Sequence, residues 1–128
     1  MTAKDIMTTQ VMTVQSTTSI REAMKMMIGI EISGLIVTDA SGDILGVVTE
    51  RDLMVAYDFL KEIKAPIQDF MNTHTISVQE DTSLEEISKI LVQGDIRRVP
   101  VLRGKKVAGI VSRRDILKAI LKECDKHS

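Results

Sequence analysis

Gly46 to Leu53 reads GVVTERDL, and Gly109 to Ile116 reads GIVSRRDI. Each stretch runs from a glycine through two β-branched apolar residues to a hydroxyl, then two polar residues and an aspartate. Hydroxyl-x-x-acid is the spacing of a helix start. The hydroxyl at the N-cap accepts an amide of the first turn and the acid reaches back, each cap contributing about 1 kcal/mol. The apolar β-branched run before it reads as a strand. A strand that stops on a helix N-terminus presents free amides and a positive dipole end, which suit a phosphate. A carboxylate one turn in can accept both hydroxyls of a ribose diol. The glycine ahead of the strand leaves room for another backbone to pass close.

Outward from this pair, the chain repeats itself. DIMTTQVMTVQSTTSI, Asp5 to Ile20, aligns 64 positions on with DFMNTHTISVQEDTSL, Asp69 to Leu84. Ile32 to Val37 then lies over Ile96 to Val101, and one residue lost in a turn puts the opening pair at an offset of 63. Repeat 1 takes residues 1–60, a connector 61–68, and repeat 2 residues 69–128. In each repeat a serine with capping-box spacing, Ser19-x-x-Glu22 or Ser83-x-x-Glu86, precedes a helical stripe. The stripes are Ile20, Ala23, Met24, Met27 and Ile28, and Leu84, Ile87, Leu91 and Val92. Strands are predicted at Gly34 to Thr38 and Ile44 to Val48, and at Val99 to Leu102 and Val107 to Val111, with a helix after Thr49 and after Ser112. A very short first strand falls near Met12 to Val14 and Ile76 to Val78. The order is β-α-β-β-α, twice. One such unit buries too little surface to stand alone, so the expectation is an α+β fold with two pseudo-symmetric repeats packed as one compact module.

Composition narrows the function. The chain has 128 residues, 44% hydrophobic and 27% charged, with a net charge of −1. That balance gives no general bias toward nucleic acid or membrane. No apolar run approaches the roughly 18 residues of a bilayer span, and the N-terminus lacks a signal-peptide core. The single Cys124 excludes an internal disulfide and suits a reducing, cytoplasmic setting. His74 and His127 are far apart, which disfavours a zinc site, and there is no Walker loop or G-x-G-x-x-G. With only Tyr57, Phe59 and Phe70 as aromatics, most of the eight methionines are expected in the core. No catalytic constellation emerges.

The pattern resembles tandem cystathionine-β-synthase (CBS) domains, a pair of which is called a Bateman module. DIMT with VMTV, TSIREAMKMM, GLIVTD with GDILGVVTERD, and RRVPVL with KVAGIVSRRD carry the resemblance. It implies a regulatory module that senses AMP, ADP, ATP or S-adenosylmethionine in clefts between the repeats, with no cofactor required. By that resemblance Asp52 and Asp115 hold ribose, and Thr49 and Ser112 lie at the phosphates. The adenine is flanked by Val11, Met12 and Thr13 with Ile32, Ser33, Gly34, Leu35 and Ile36. In the second copy the flanking residues are Thr75, Ile76 and Ser77 with Ile96 to Pro100. Pro100 cannot donate a ladder bond and so requires an edge or an irregularity.

Charge separates the copies. Arg97, Arg98, Arg103, Lys105, Lys106, Arg113 and Arg114 crowd one stretch with no acidic residue. Its counterpart holds Asp39, Asp43 and Glu50 with the single arginine Arg51, which is counted among the binding residues. Arg98 and Arg113 are the leading phosphate contacts, since arginine grips phosphate bidentately whereas Glu50 repels it. The Asp115 cleft is therefore expected to bind a phosphorylated ligand more tightly. Apolar helix surface at Ile116, Leu117, Ile120, Leu121, Leu53 and Val55 suits a homodimer or contact with an unidentified protein target. The competing readings are a ligand-free assembly module and nucleic-acid binding through Arg97–Arg114, the latter disfavoured by scarce aromatics and neutral net charge.

Overall fold

A computed structural model of the chain describes residues 1–126; His127 of the separated histidine pair lies outside the described residues. The elements are α1 (Ala3–Ile6), β1 (Thr13–Gln15), α2 (Ile20–Gly29), β2 (Gly34–Thr38), β3 (Ile44–Thr49) and α3 (Glu50–Leu60). After a 3₁₀ turn at Ile67–Asp69 come β4 (Val78–Gln79), α4 (Leu84–Gln93), β5 (Arg98–Arg103), β6 (Lys106–Ser112) and α5 (Arg113–Lys126). Each repeat thus carries the β-α-β-β-α order read from the sequence. Helix α1 is an addition to it. Ser19 and Ser83 cap α2 and α4, their Oγ atoms accepting the Glu22 and Glu86 amides at 3.1 Å each. Glu22 leans forward along the helix, 3.9 Å from Lys25 Nζ, rather than back to its cap.

Two three-stranded sheets result, ordered β1-β2-β3 and β4-β5-β6. In each, the first pair is parallel and the second antiparallel. The compact units, however, are not contiguous stretches of the two repeats. One comprises Met12–Thr75; the other comprises Met1–Val11 with Ile76–Ser128. The opening segment of each repeat therefore belongs to the unit built around the other repeat.

Those opening segments finish the sheets. In the Met12–Thr75 unit, Val47 N–H donates to Asn72 O at 2.9 Å and Asn72 N–H returns to Val47 O at 2.8 Å. In the other unit Thr8 and Ile110 exchange the same two bonds at 2.9 Å each. The outer edges of β3 and β6 thus gain a single antiparallel pair, which satisfies backbone groups at an otherwise open edge. The neighbouring glycines make room for it. A Cβ on Gly46 would lie 2.3 Å from Asn72 O, and one on Gly109 would lie 2.8 Å from Thr8 O and 2.7 Å from Met7 Sδ.

The same segments enter the cores. Ile67 is fully buried among Val14, Ile20, Met27, Leu35, Val37, Val48 and Leu53, and the connector is tied in by Ile20 N–H to Ala65 O at 2.9 Å. Ala3 of α1 holds the corresponding place among Ile87, Leu91, Val99, Val101 and Val111. Burial of the Ile67 side chain contributes about 1.5–3 kcal/mol, and that of the Ala3 methyl about 0.8 kcal/mol. The helical stripes extend less far than their periodicity implied. Ile28 is 77% exposed and Val92 75%, because the eighth residue after the start of a stripe has rotated off the buried face. Conversely Leu53 and Ile116, expected on the surface, are buried, while Val55, Leu117, Ile120 and Leu121 are exposed. Of the methionines, Met27 is buried and Met7, Met24, Met26 and Met71 pack against the cores, but Met1, Met12 and Met54 are exposed.

The β5–β6 turn is clamped from β4. Arg103 donates Nε to Glu80 Oε1 at 2.8 Å and Nη2 to Oε2 at 3.0 Å. Beside it, Gln79 and Gly104 exchange two hydrogen bonds at 3.1 and 3.2 Å. The Arg103 hydrogen bonds hold the Glu80 carboxyl below its ordinary value, against a desolvation that raises it; the Arg103 and Lys4 charges lower it further.

Two predictions arise from these contacts. Gly46→Ala forces backbone apart and is expected to cost about 1–3 kcal/mol in urea melts, with Gly109→Ala close behind. Gly29→Ala has nothing within 4 Å and lies in a helix. It should be neutral or stabilising by up to about 1 kcal/mol; equal losses at all three would mean the close crossing is not what the glycines serve. A lowered carboxyl stabilises the fold above its unfolded pKa, near about 4.3, and that contribution disappears as pH falls through the folded value. Glu80→Gln should therefore lower the melting temperature at about pH 7, with the gap closing as pH falls below the ordinary glutamate range and through the lowered folded value. A gap undiminished in acid would remove the ion pair as its cause.

Candidate functional site

The two hydroxyl–aspartate pairs are superposable in detail. Thr49 ends β3 as the N-cap of α3, with its backbone extended. Its N–H donates to Asp52 Oδ2 at 2.8 Å, its Oγ1 donates to the same oxygen at 3.0 Å, and the Asp52 N–H donates to Oγ1 at 3.2 Å. Ser112 and Asp115 repeat all three bonds at the same distances. Capping thus uses one carboxylate oxygen of each aspartate, and among the described residues Oδ1 takes no bond. Both aspartates are only partly exposed, at the first turn of a helix whose N-terminal amides are the natural seat of an anion.

Backbone bonds bring the flanking segments to these caps. Glu50 N–H donates to Ser33 O at 3.0 Å, and Arg113 N–H donates to Arg97 O at 2.9 Å. Across the strands, Gly34 is the register partner of Thr49, and Arg98 of Ser112. Thr49, Asp52, Ser33 and Gly34 thus form one half-site, and Ser112, Asp115, Arg97 and Arg98 another. Met12 and Ile76, equivalent residues at the mouths of β1 and β4, are 50% and 52% exposed. Unit boundaries fall inside both predicted flanking segments, between Val11 and Met12 and between Thr75 and Ile76.

Pro100 occupies the middle strand, yet its position there is locally an edge. Its partner Ile110 turns its own amide outward to Thr8, and the β4 ladder begins only at Val78 with Val101. In the first repeat Ile36 has an N–H, and the β1 ladder starts one residue earlier, at Thr13 with Ile36. The proline costs one pair and leaves the strand intact.

The basic stretch is less bare than its sequence. Arg103 is paired with Glu80, and Arg113 donates Nε to Ile96 O at 2.9 Å and Nη2 to Asp95 Oδ1 at 3.1 Å. Asp95 escaped the sequence reading; its only signal was its place after Gly94 at the end of a helix. His74 is exposed, its N–H donating to Asn72 Oδ1 at 2.9 Å, and Cys124 is an exposed free thiol. Among the described residues no group of three or more His, Cys, Asp or Glu is placed to hold a metal ion.

Comparison with known proteins agrees with this architecture. The chain is 36% identical over 129 residues to the uncharacterized protein MJ1404 of Methanocaldococcus jannaschii, covering 90% of this chain but only 31% of that protein. The structure of CBSX2 in complex with AMP superposes with a TM-score of 0.84 at 29% identity, covering 94% of this chain and 96% of that one. The CBS domain pair of protein MJ0100, in complex with 5′-methylthioadenosine and S-adenosyl-L-methionine, superposes with a TM-score of 0.79 at 27% identity, covering 96% and 98%. The CBS domain signature itself matches residues 3–58 and again 67–122. The chain belongs to the CBS domain family, as a tandem pair.

Proposed function

We propose that this CBS pair is a non-catalytic regulatory module that binds an adenine nucleotide or another adenosyl ligand. The observation that carries the proposal is the twice-repeated cap in which Asp52 and Asp115 spend one oxygen on the helix and keep the other available. In this reading Oδ1 accepts from the ribose hydroxyls, while Thr49 or Ser112 and the helix amides face the phosphates. The exposed Met12 and Ile76 side chains, with the Ile32 and Ile96 segments, supply apolar surface for the adenine. Complexes of related pairs with AMP and with S-adenosyl-L-methionine support the ligand class. Arg97 and Arg98 add positive charge only on the Asp115 side, which favours a phosphorylated ligand there.

The reading extends to how a signal leaves the module. Between α4 and α5 lies an open groove of about 440 Å³ lined by Ser88, Leu91, Val92, Arg113, Ile116, Leu117 and Ile120. Such a surface suits a second copy of the chain or a regulated protein, in the cytoplasm. A ligand alters that association only if it binds the two states with different affinity. The alternative, an assembly module with vestigial sites, rests on the same groove and predicts that no nucleotide co-purifies. No helix among the described residues is long and apolar enough to cross a membrane.

Calorimetric titration with AMP, ATP and S-adenosylmethionine tests the proposal. Asp115→Ala removes a hydrogen-bonded charge and should weaken AMP binding by about tenfold to a hundredfold, with Asp52→Ala costing less. Asp115→Asn, which keeps an acceptor for the cap, separates lost binding from lost helix stability. Equal losses at the two aspartates would remove the asymmetry, and no binding of any adenosyl compound by the wild type would remove the proposal.

A further inference from the structure

Glu31 and Asp95 stand at equivalent positions, and both are left-handed, with φ of 54° and 49°. Non-glycine residues are uncommon in that conformation, and Lys61, at the end of α3, is the third among the described residues. Glu31 and Asp95 each immediately precede the segment assigned to the adenine. Backbone bonds hold both turns, Ile32 N–H donating to Met27 O at 3.1 Å and Ile96 N–H to Leu91 O at 3.2 Å, and in one unit a side chain adds to them. Arg113 bonds three consecutive residues: Asp95 through Nη2 at 3.1 Å, Ile96 through Nε at 2.9 Å, and Arg97 through its own N–H at 2.9 Å. In the Met12–Thr75 unit only the last of these has a counterpart, Glu50 N–H to Ser33 O at 3.0 Å. Glu50 has no donor to offer the Ile32 carbonyl, and it carries the same charge as Glu31.

We infer that Arg113 is a positioning residue, a latch that holds residues 95–97 in the form that receives an adenosyl ligand, rather than a phosphate-gripping arm. The inference rests on the adenosyl-ligand reading above. The donor edge that would grip a phosphate side-on, Nε with Nη2, is already committed to Ile96 and Asp95. The Asp115 half-site is therefore held by two side-chain bonds that the Asp52 half-site lacks, and residues 31–33, though they take the same turn, keep more freedom to lose when a ligand arrives. That ordering lowers affinity without changing a single ligand contact. Because the latch acts on the nucleoside segment, it favours adenosine and AMP alike.

Hydrogen exchange without ligand tests the latch directly. The Asp95 and Ile96 amides donate to Val92 O at 3.3 Å and Leu91 O at 3.2 Å, and both should exchange about tenfold faster in Arg113→Ala. Arg113→Gln, which keeps a donor for Ile96 O but no charge, should fall between that variant and wild type. Glu50→Arg, which faces Glu31 as Arg113 faces Asp95, should slow exchange at Ile32. Unchanged exchange in Arg113→Ala overturns the latch whether or not a ligand is found. Affinity then separates the two roles of the arginine. In an Asp52→Ala background, Arg113→Ala should weaken adenosine and AMP by the same factor, about three- to tenfold. A loss confined to AMP would make Arg113 a phosphate contact and overturn the inference. Wild-type protein that binds neither compound sinks the adenosyl-ligand reading, and the exchange rates still decide whether the latch exists.

Discussion

The constraint on which the structure depends is the pairing of two sheet edges, each by one residue of a distant segment. Val47 with Asn72, and Ile110 with Thr8, place a passing backbone against β3 and β6. Without them the outer strands would present a row of open amides and carbonyls, which costs stability and invites pairing with other chains. The close approach dictates glycine at 46 and 109. It also carries Ile67 and Ala3 into their cores and sets the course of the chain toward β1 and β4. The hydroxyl and aspartate that follow each glycine are thus mounted on a strand held from both sides.

Much of this was legible because it is local. β2 was read at its observed limits, and Thr49 and Ser112 were read as helix starts, because alternation, glycine and capping chemistry act within a few residues. The glycines were read as sites of close approach, but their partners Asn72 and Thr8 were not, since one bridging residue leaves no periodic trace. Helix α1 is only four residues long and depends on contacts such as Ala3 N–H to Thr82 O, beyond the reach of propensity. The burial of Leu53 and Ile116 was missed for a different reason. Both sit in the first turn after a cap, where the helix still faces the sheet, although each neighbours exposed apolar residues.

The candidate site was legible as a motif and not as an arrangement. Spacing identified Asp52 and Asp115 and their capping of the helices. Charge identified Arg113, but only its neighbours reveal what it holds. Asp95 has no motif at all; it matters because a left-handed turn brings it to the Arg113 guanidinium, eighteen residues further along. Duplication preserved the backbone bonds of both halves, 50 to 33 and 113 to 97, while the side chains around them diverged in sign. Backbone geometry is tied to the fold; the side chains that tune occupancy are free to drift apart.

The exchange of opening segments also gives the two units different histories within one chain. All residues of the Met12–Thr75 unit are consecutive, so during synthesis that unit is complete before Ile76 is joined. The other unit is not. Its Ala3 awaits Thr82, and its Thr8 awaits Ile110, about a hundred residues on. Closing so wide a loop costs entropy that grows only slowly with length, but it leaves Ala3 and Thr8 without their partners until the intervening unit has been made. Two halves alike in fold are thereby unequal in synthesis: one is a single uninterrupted run, and the other has its parts on both sides of that run.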